Sequence, residues 1–318
     1  MSIAHLDVRF PARRGDLHVV DDVSLELNEG EVLGLVGESG SGKSLTALAV
    51  LGLVPAPGAV TGSVRVAGQE VVGASPATLV AVRGKGAAMI FQNPGAALNP
   101  FFTIGGQLTE IVARQRRLNA GQARRTLIAA FQEVQLADPA HALDRYPHQL
   151  SGGQLQRVMI ALAVACKPKL LIADEPTTAL DVTIQAQIVE TLRELAAEQR
   201  LAILFITHDL GIVGALCRRV AVMYSGAIVE TNSVAAFFAA PRHPYSERLL
   251  SAVPRLGASG TLATIPGQVP SPAARPTGCL FHPRCRFAAP ICATERPKLR
   301  AGPEGGSVAC HFPLAVAS

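Results

Sequence analysis

Eight residues, Gly37-Glu38-Ser39-Gly40-Ser41-Gly42-Lys43-Ser44, constrain this chain more than any other stretch. They follow the apolar run Val32-Leu33-Gly34-Leu35-Val36 and lead into Leu45-Thr46-Ala47-Leu48-Ala49-Val50-Leu51, which reads as strand, glycine loop and helix. Glycines let the backbone curl until successive N–H groups point at one anion, and the helix that follows adds the positive end of its dipole. The spacing is G-x-x-x-x-G-K-[ST], in the context that this phosphate-binding pattern requires. Lys43 is then expected to reach the β and γ phosphates of a nucleoside triphosphate, with the Ser44 hydroxyl on Mg²⁺. Gly37, Ser39, Gly40, Ser41 and Gly42 supply the cradle.

The 318 residues suffice for one large domain with an appendage. Hydrophobic residues make up 49% of them, enough for a substantial core. The longest apolar stretches, Val158 to Cys166 and Leu201 to Ile206, fall well short of the roughly 18 residues that a membrane span needs. No basic segment leading into an apolar one opens the chain, so a soluble, cytoplasmic protein is expected. The net charge of +5 could serve nucleic acid or an anionic membrane surface. With arginines scattered, aromatics at 4% and no Trp, it reads as a solvated surface, one that could face lipid headgroups, and no nucleic-acid partner is expected.

Ile3 to Phe10, Asp22 to Leu27 and Ser63 to Gly68 alternate apolar and polar residues, as the strands of a half-buried antiparallel sheet do. Met89-Ile90-Phe91 is a short strand that ends at Gln92. Thr103 to Leu136 turns helical, in two amphipathic segments divided near Asn119-Ala120-Gly121, and forms an inserted lobe. After it, Ser151 is placed to cap a helix that runs to about Cys166, so Ser151, Gly152, Gly153 and Gln154 present a second helix start to an anion. Leu170-Leu171-Ile172-Ala173 is an apolar strand ending in two carboxylates, Asp174 and Glu175, and Ala202 to Thr207 is another that delivers His208. Ligands of open α/β sheets bind at that edge. The fold class expected is α/β.

In their order and spacing, Gly37 to Ser44, Gln92, Leu150 to Gln154, Asp174-Glu175, Asp181 and His208 resemble an ABC-type P-loop ATPase domain, over about residues 3 to 250. Asn93-Pro94 with Leu98-Asn99-Pro100, the run from Tyr146 to Val164, and Arg242-His243-Pro244-Tyr245 look like the ATPase subunits of bacterial dipeptide, oligopeptide and nickel importers. The resemblance implies an ATPase domain over 1–254, made of a mixed sheet core, an antiparallel β subdomain and a helical subdomain at about 93–166. It implies that the Ser151-Gly152-Gly153 helix start of a second ATPase subunit, another copy or a related chain, closes over the γ-phosphate. Asp174 would organise Mg²⁺ with Ser44 and Gln92. Glu175, one residue on, would serve as base or orienting group for the attacking water, His208 would hold the γ-phosphate, and Asp181 would couple the two sites. Many members place an adenine-stacking aromatic near position 14. Here Arg14 stands there, with Phe10 and His18 nearby, and a guanidinium can stack on a base. Leu45 stands where many members carry Thr, which leaves Thr46 as the hydroxyl for the α-phosphate.

Residues 255–318 are rich in Pro, Gly and Ser and carry Cys279, Cys285, Cys292 and Cys310. Cys166 and Cys217 lie in apolar helical contexts and read as packing residues. Four cysteines in a tail with little core of its own suggest a staple, and a cytoplasmic location favours metal over disulfides. Intervals of five, six and seventeen residues contain no C-x-x-C pair, so spacing alone does not choose the metal. The resemblance implies a 4Fe-4S cluster. Zinc, with His282 and His311 as substitute ligands, is the alternative, followed by free thiols or an occasional disulfide.

The leading functional expectation is the energy-coupling ATPase of a membrane importer for di- and oligopeptides, bound peripherally to the cytoplasmic face of the inner membrane. Its implied partners are two transmembrane permease subunits and, indirectly, an extracytoplasmic peptide-binding protein. The helical lobe and Gln92 to Pro100 would form the dock. A nickel importer of the same subgroup is one alternative. Another is a soluble ABC ATPase of nucleic-acid repair or translation, although such relatives usually pair two ATPase domains or carry long coiled-coil insertions, and this chain has neither. A third makes the tail primary, as an iron- or redox-responsive regulator whose output is the ATPase.

Overall fold

A computed structural model describes residues 1–13, 15–178, 180–253, 265–302 and 305–315. The expected boundary after residue 254 therefore lies outside the described residues, as does Arg14. The alternating segments pair as expected. Strands β1 (Ser2–Phe10), β2 (Leu17–Glu26), β4 (Ala59–Val66) and β5 (Gln69–Glu70) form an antiparallel sheet in the order β2-β1-β4-β5. The second sheet runs β11-β12-β10-β9-β3-β8-β7-β6. Its members are β3 (Val32–Val36), β6 (Ala87–Ile90), β7 (Leu170–Asp174), β8 (Ala202–Thr207), β9 (Arg219–Tyr224), β10 (Ala227–Ser233), β11 (Arg300–Ala301) and β12 (Ser307–Val308).

Five of these strands, β6, β7, β8, β3 and β9, are parallel neighbours, so their carboxyl ends lie along one edge. Every residue of β3, β7 and β8 is buried, as strands covered on both faces must be. Because side chains alternate across a sheet, successive residues of one strand serve different cores. Val36, Ile203 and Phe205 belong to the core that also holds the helical lobe and the helices Val182–Gln199 and Leu210–Leu216, whereas Leu33, Leu35, Leu204 and Ile206 share a core with the helix Lys43–Val50 and the antiparallel sheet.

The lobe consists chiefly of helices Ile104–Arg116, Ala120–Glu133 and Gly152–Ala165. Asn119 and Gln122 form a capping box at the start of the second helix, and Ser151 and Gln154 form one at the start of the third. Each box satisfies two of the backbone donors that a helix N-terminus leaves orphaned.

The cysteine-bearing segment is built into the main sheet. Strand β12 pairs with β10 through Glu230↔Val308 and Thr231↔Ser307, and Ala309 N–H donates to Val229 O at 2.8 Å. Arg275 and Arg296 both reach the Asp21 carboxylate on β2, at 2.7 and 2.6 Å. Burial alone would raise the Asp21 carboxyl, but the two guanidiniums hold it below its ordinary range.

Gly34, midway along β3, faces Cys217 and Val213 so closely that an added Cβ would stand 3.1 Å from the Cys217 sulfur. Gly34→Val should overpack this contact and lower stability by about 1–3 kcal/mol, read as a shift in the urea unfolding midpoint. A variant as stable as its parent would mean that the sheet and the Cys217 helix slide apart freely.

Candidate functional site

The edge formed by the parallel carboxyl ends gathers the chemistry. Strand β3 ends at Val36 and the chain enters the glycine loop, where Gly37 (φ 156°) passes so close to the Met223 carbonyl that a Cβ there would collide with it. Gly42, at φ 103°, caps the helix Lys43–Val50 without a side-chain bond, and no acidic residue occupies that helix's first turn. Loop and helix start thus offer backbone N–H groups and a positive dipole end to an anion. Lys43 Nζ is fixed at the centre, donating to Gly37 O at 2.8 Å and Glu38 O at 2.9 Å. Burial lowers its pKa while Glu175, Asp174 and Glu38 pull it back up.

Strand β7 delivers Asp174 and Glu175 to different tasks. Ser44 Oγ donates to Asp174 Oδ1 at 3.1 Å, so the two oxygens expected on Mg²⁺ already meet. Glu175 turns away because its backbone is left-handed (φ 48°), a conformation that costs a non-glycine residue of order 1–3 kcal/mol. Its own N–H, donating to Ile206 O at 2.9 Å, ties that conformation to β8. The Glu175 carboxylate accepts from Gln92 Nε2 and Thr178 Oγ1, both at 2.9 Å, and lies 3.3 Å from His208 Nδ1. The Glu175 side chain is 18% exposed and that of His208 63%, so the carboxylate is sheltered while the imidazole stays approachable.

Lys43, Ser44, Gln92, Asp174, Glu175 and His208 therefore converge as the sequence leads one to expect. Sequence reading missed Thr178, whose only signal was a hydroxyl three residues after Glu175. It also missed that the Thr46 side chain is fully buried and that its hydroxyl donates to Gly42 O at 3.0 Å, so it is not free for an α-phosphate. Leu45 beside it is half-buried and packs against the core. Ser151 and Asp181 cap their own helices, accepting from Gln154 N and Ile184 N. Among the described residues, no hydrogen bond joins Ser151-Gly152-Gly153-Gln154 to the Gly37–Ser44 loop.

Cys279, Cys285, Cys292 and Cys310 line one pocket together with His243, His282 and His311. Burial raises the Cys279, Cys285 and Cys310 thiols, the last to about 11, and the neighbouring cysteines add to the shift at Cys310. A single tetrahedral zinc would draw thiolate sulfurs to within about 3.8 Å of one another. Among the described residues, no three ligating atoms of this pocket lie mutually within 4.8 Å, a wider spread than such a site takes. Cys166 and Cys217 are buried elsewhere, with thiols pushed up to about 11 and about 12, as packing residues are.

A phosphate loop, a glutamine, paired carboxylates and a histidine on the carboxyl edge of a parallel sheet, with an antiparallel sheet beside it and a helical lobe inserted, define an ABC-type ATPase. Known proteins resemble the chain in the same sense. A family model described as ABC transporter matches residues 20–178, and one described as oligopeptide/dipeptide transporter, C-terminal region, matches 229–292. The dipeptide transport ATP-binding protein DppD of Escherichia coli K12 is 46% identical over 99% of this chain and 97% of its own. The oligopeptide transport ATP-binding protein OppD of the same organism is 44% identical over 99% and 93%. The ATP-binding cassette MJ0796, solved as a dimer bound to ADP and Pi, superposes with a TM-score of 0.66 at 25% identity, over 73% of this chain and 98% of that one. The chain belongs to the ATP-binding proteins of the ABC transporter family, and it is an ATPase whose turnover is coupled to transport.

Burial and the adjacent Glu175 raise the Asp174 carboxyl above its ordinary range, so the folded chain tolerates its charge less well than the unfolded chain does. The stability gained by protonation is complete below the ordinary carboxylate pKa and is lost as pH rises through the raised one. Near pH 7 without Mg²⁺, Asp174→Asn should therefore melt above the parent while losing the parent's Mg²⁺-dependent response to nucleotide. A lower melting temperature would show that Lys43 and Ser44 outweigh the burial.

Proposed function

We propose that this chain is the energy-coupling subunit of an importer for di- and oligopeptides. The carrying observation is that its likeness to peptide-transport ATP-binding proteins runs nearly the full length, through the 229–292 region that such proteins share. Two membrane permease subunits and a second ATPase subunit complete the assembly, and the chain sits peripherally on the cytoplasmic face of the membrane. No helix among the described residues is long and apolar enough to cross a membrane. An extracytoplasmic binding protein selects the peptide.

The residues divide the work by position. Lys43 and the loop amides bind the β and γ phosphates, and the hard oxygens of Ser44 and Asp174, with the Gln92 amide, suit Mg²⁺. Glu175 accepts the proton of the attacking water as it adds to the γ-phosphorus and the β–γ bond breaks. Gln92, Thr178 and His208 hold that carboxylate in one orientation, and Asp181 couples one site to the other. Hydrolysis then waits on closure, because Ser151-Gly152-Gly153 caps a helix start that its own loop does not use. A partner subunit's loop is the complementary surface. Arg14, lying outside the described residues, is assigned to adenine by its position in sequence. Cys279, Cys285, Cys292 and Cys310, which line one pocket, are the residues that would hold a 4Fe-4S cluster through their thiolates.

Glu175→Gln should bind ATP as the parent does but lose about 10² to 10⁴ in turnover, or about 3 to 5 kcal/mol of barrier lowering. Undiminished single-turnover hydrolysis would remove Glu175 from the chemistry. Purified without oxygen, the chain should be brown, with about four irons and four sulfides each, and Cys285→Ser should lose the colour. Colourless protein with one zinc would replace the cluster assignment. Affinity purification from detergent-solubilised membranes should recover two multi-span proteins. Recovery from the soluble fraction alone would point to a soluble mechanical ATPase.

A further inference from the structure

The phosphate loop is gripped from outside by the segment that carries the cysteines. Arg284, immediately before Cys285, places its two terminal nitrogens on the two oxygens of Glu38, Nη1 on Oε1 at 2.9 Å and Nη2 on Oε2 at 3.0 Å. Its side chain is only 4% exposed, and its remaining donors go to Pro266 O at 2.8 Å, Tyr224 Oη at 3.3 Å and Gly267 O at 3.3 Å. The guanidinium is thus fully committed, in the two-pronged geometry that carboxylate pairing favours. The Glu38 backbone is held as well. Its N–H donates to Tyr245 Oη at 2.9 Å, and its carbonyl accepts from Lys43. Tyr245 is itself fixed by Tyr224 and Phe281, whose ring centroids stand 4.6 and 5.4 Å away.

These contacts do two things for an anion site. They orient the peptide planes on either side of Glu38, which decides which loop N–H groups remain free to face phosphate. They also neutralise a carboxylate that sits inside the phosphate loop, where an unpaired negative charge would repel a triphosphate and compete for Lys43.

We propose that Arg284 is a positioning residue of the nucleotide site: by pairing with Glu38 it sets the affinity of the phosphate loop for ATP, and so makes the cysteine-bearing segment a working part of that site. The proposal rests on the ATPase reading of the loop. Cys285 is the next residue, so a rearrangement of the thiol pocket is passed to the loop through one peptide bond and one ion pair. Coupling of this kind is reciprocal, and bound nucleotide steadies the cysteine segment in return.

The test is equilibrium binding of a fluorescent ATP analogue, with Mg²⁺, to the full chain and its variants. Arg284→Gln should raise Kd about tenfold, the weight of one charge-assisted contact. Steady-state KM should carry the loss while kcat holds. Adding Glu38→Gln to Arg284→Gln should restore most of the affinity, because it removes the charge that Arg284 had neutralised, and Arg284→Lys should fall between parent and Arg284→Gln. A merely structural role predicts the reverse, with the double variant at least as weak as either single one. If Arg284→Gln does not fold, Arg284→Lys and Tyr245→Phe carry the test, the latter removing a single hydroxyl and weakening binding about threefold. Parental Kd in the folded Arg284 variants, or a double variant that binds no more tightly than Arg284→Gln, overturns the proposal. A parent chain that binds no ATP at all overturns the ATPase reading together with it.

Discussion

Everything at the working edge depends on the burial of β3 between β8 and β9. A strand covered on both faces cannot move without opening two cores at once, so the loop leaving its end has a fixed origin. From that origin the glycine loop can be soft in sequence and still definite in place. The same argument carries to Asp174 and Glu175 at the end of β7, to His208 after β8 and to Gln92 just beyond β6. Four segments distant in sequence are brought into hydrogen-bond reach because their strands are parallel neighbours, not because the residues attract one another.

Glu175 shows how the site separates two adjacent carboxylates. Asp174 continues the strand and meets Ser44, whereas the left-handed turn at Glu175 swings its side chain toward Gln92, Thr178 and His208. One backbone residue in an unfavourable conformation gives two adjacent carboxylates different partners. The hydrogen bond from its N–H to Ile206 offsets part of that cost, so the strain is local and supported.

Much of this was legible in the sequence. The glycine loop, the apolar strands ending in carboxylates or histidine, and the capping serine each carry local signals that survive without knowledge of the fold. Ser151 is an N-cap on paper and in space, and the structure adds Gln154 to complete a capping box. What escaped reading was which partner the folded backbone gives each side chain, near or far in sequence. Thr178 on Glu175 depends on a tight turn, Thr46 is spent on its own helix, and the pairing of Glu38 with Arg284 spans 246 positions. Tyr245 was visible as part of a family pattern, but its task, to accept the Glu38 N–H, is set by a fold in which the helix start at residue 244 packs beneath the loop. No local pattern encodes such a pair.

The two short strands β11 and β12 look slight, two residues apiece, yet β12 covers the middle of β10's outer flank and β11 in turn covers β12. Without them β10 would offer a row of unpaired donors and acceptors to any extended chain nearby, the commonest template for edge-to-edge aggregation. The last stretch of the polypeptide thus protects the sheet from its own kind. A shortened chain ending before residue 307 would keep the whole catalytic edge and still be prone to stick to its neighbours, so poor recovery of such a fragment would say nothing against its chemistry.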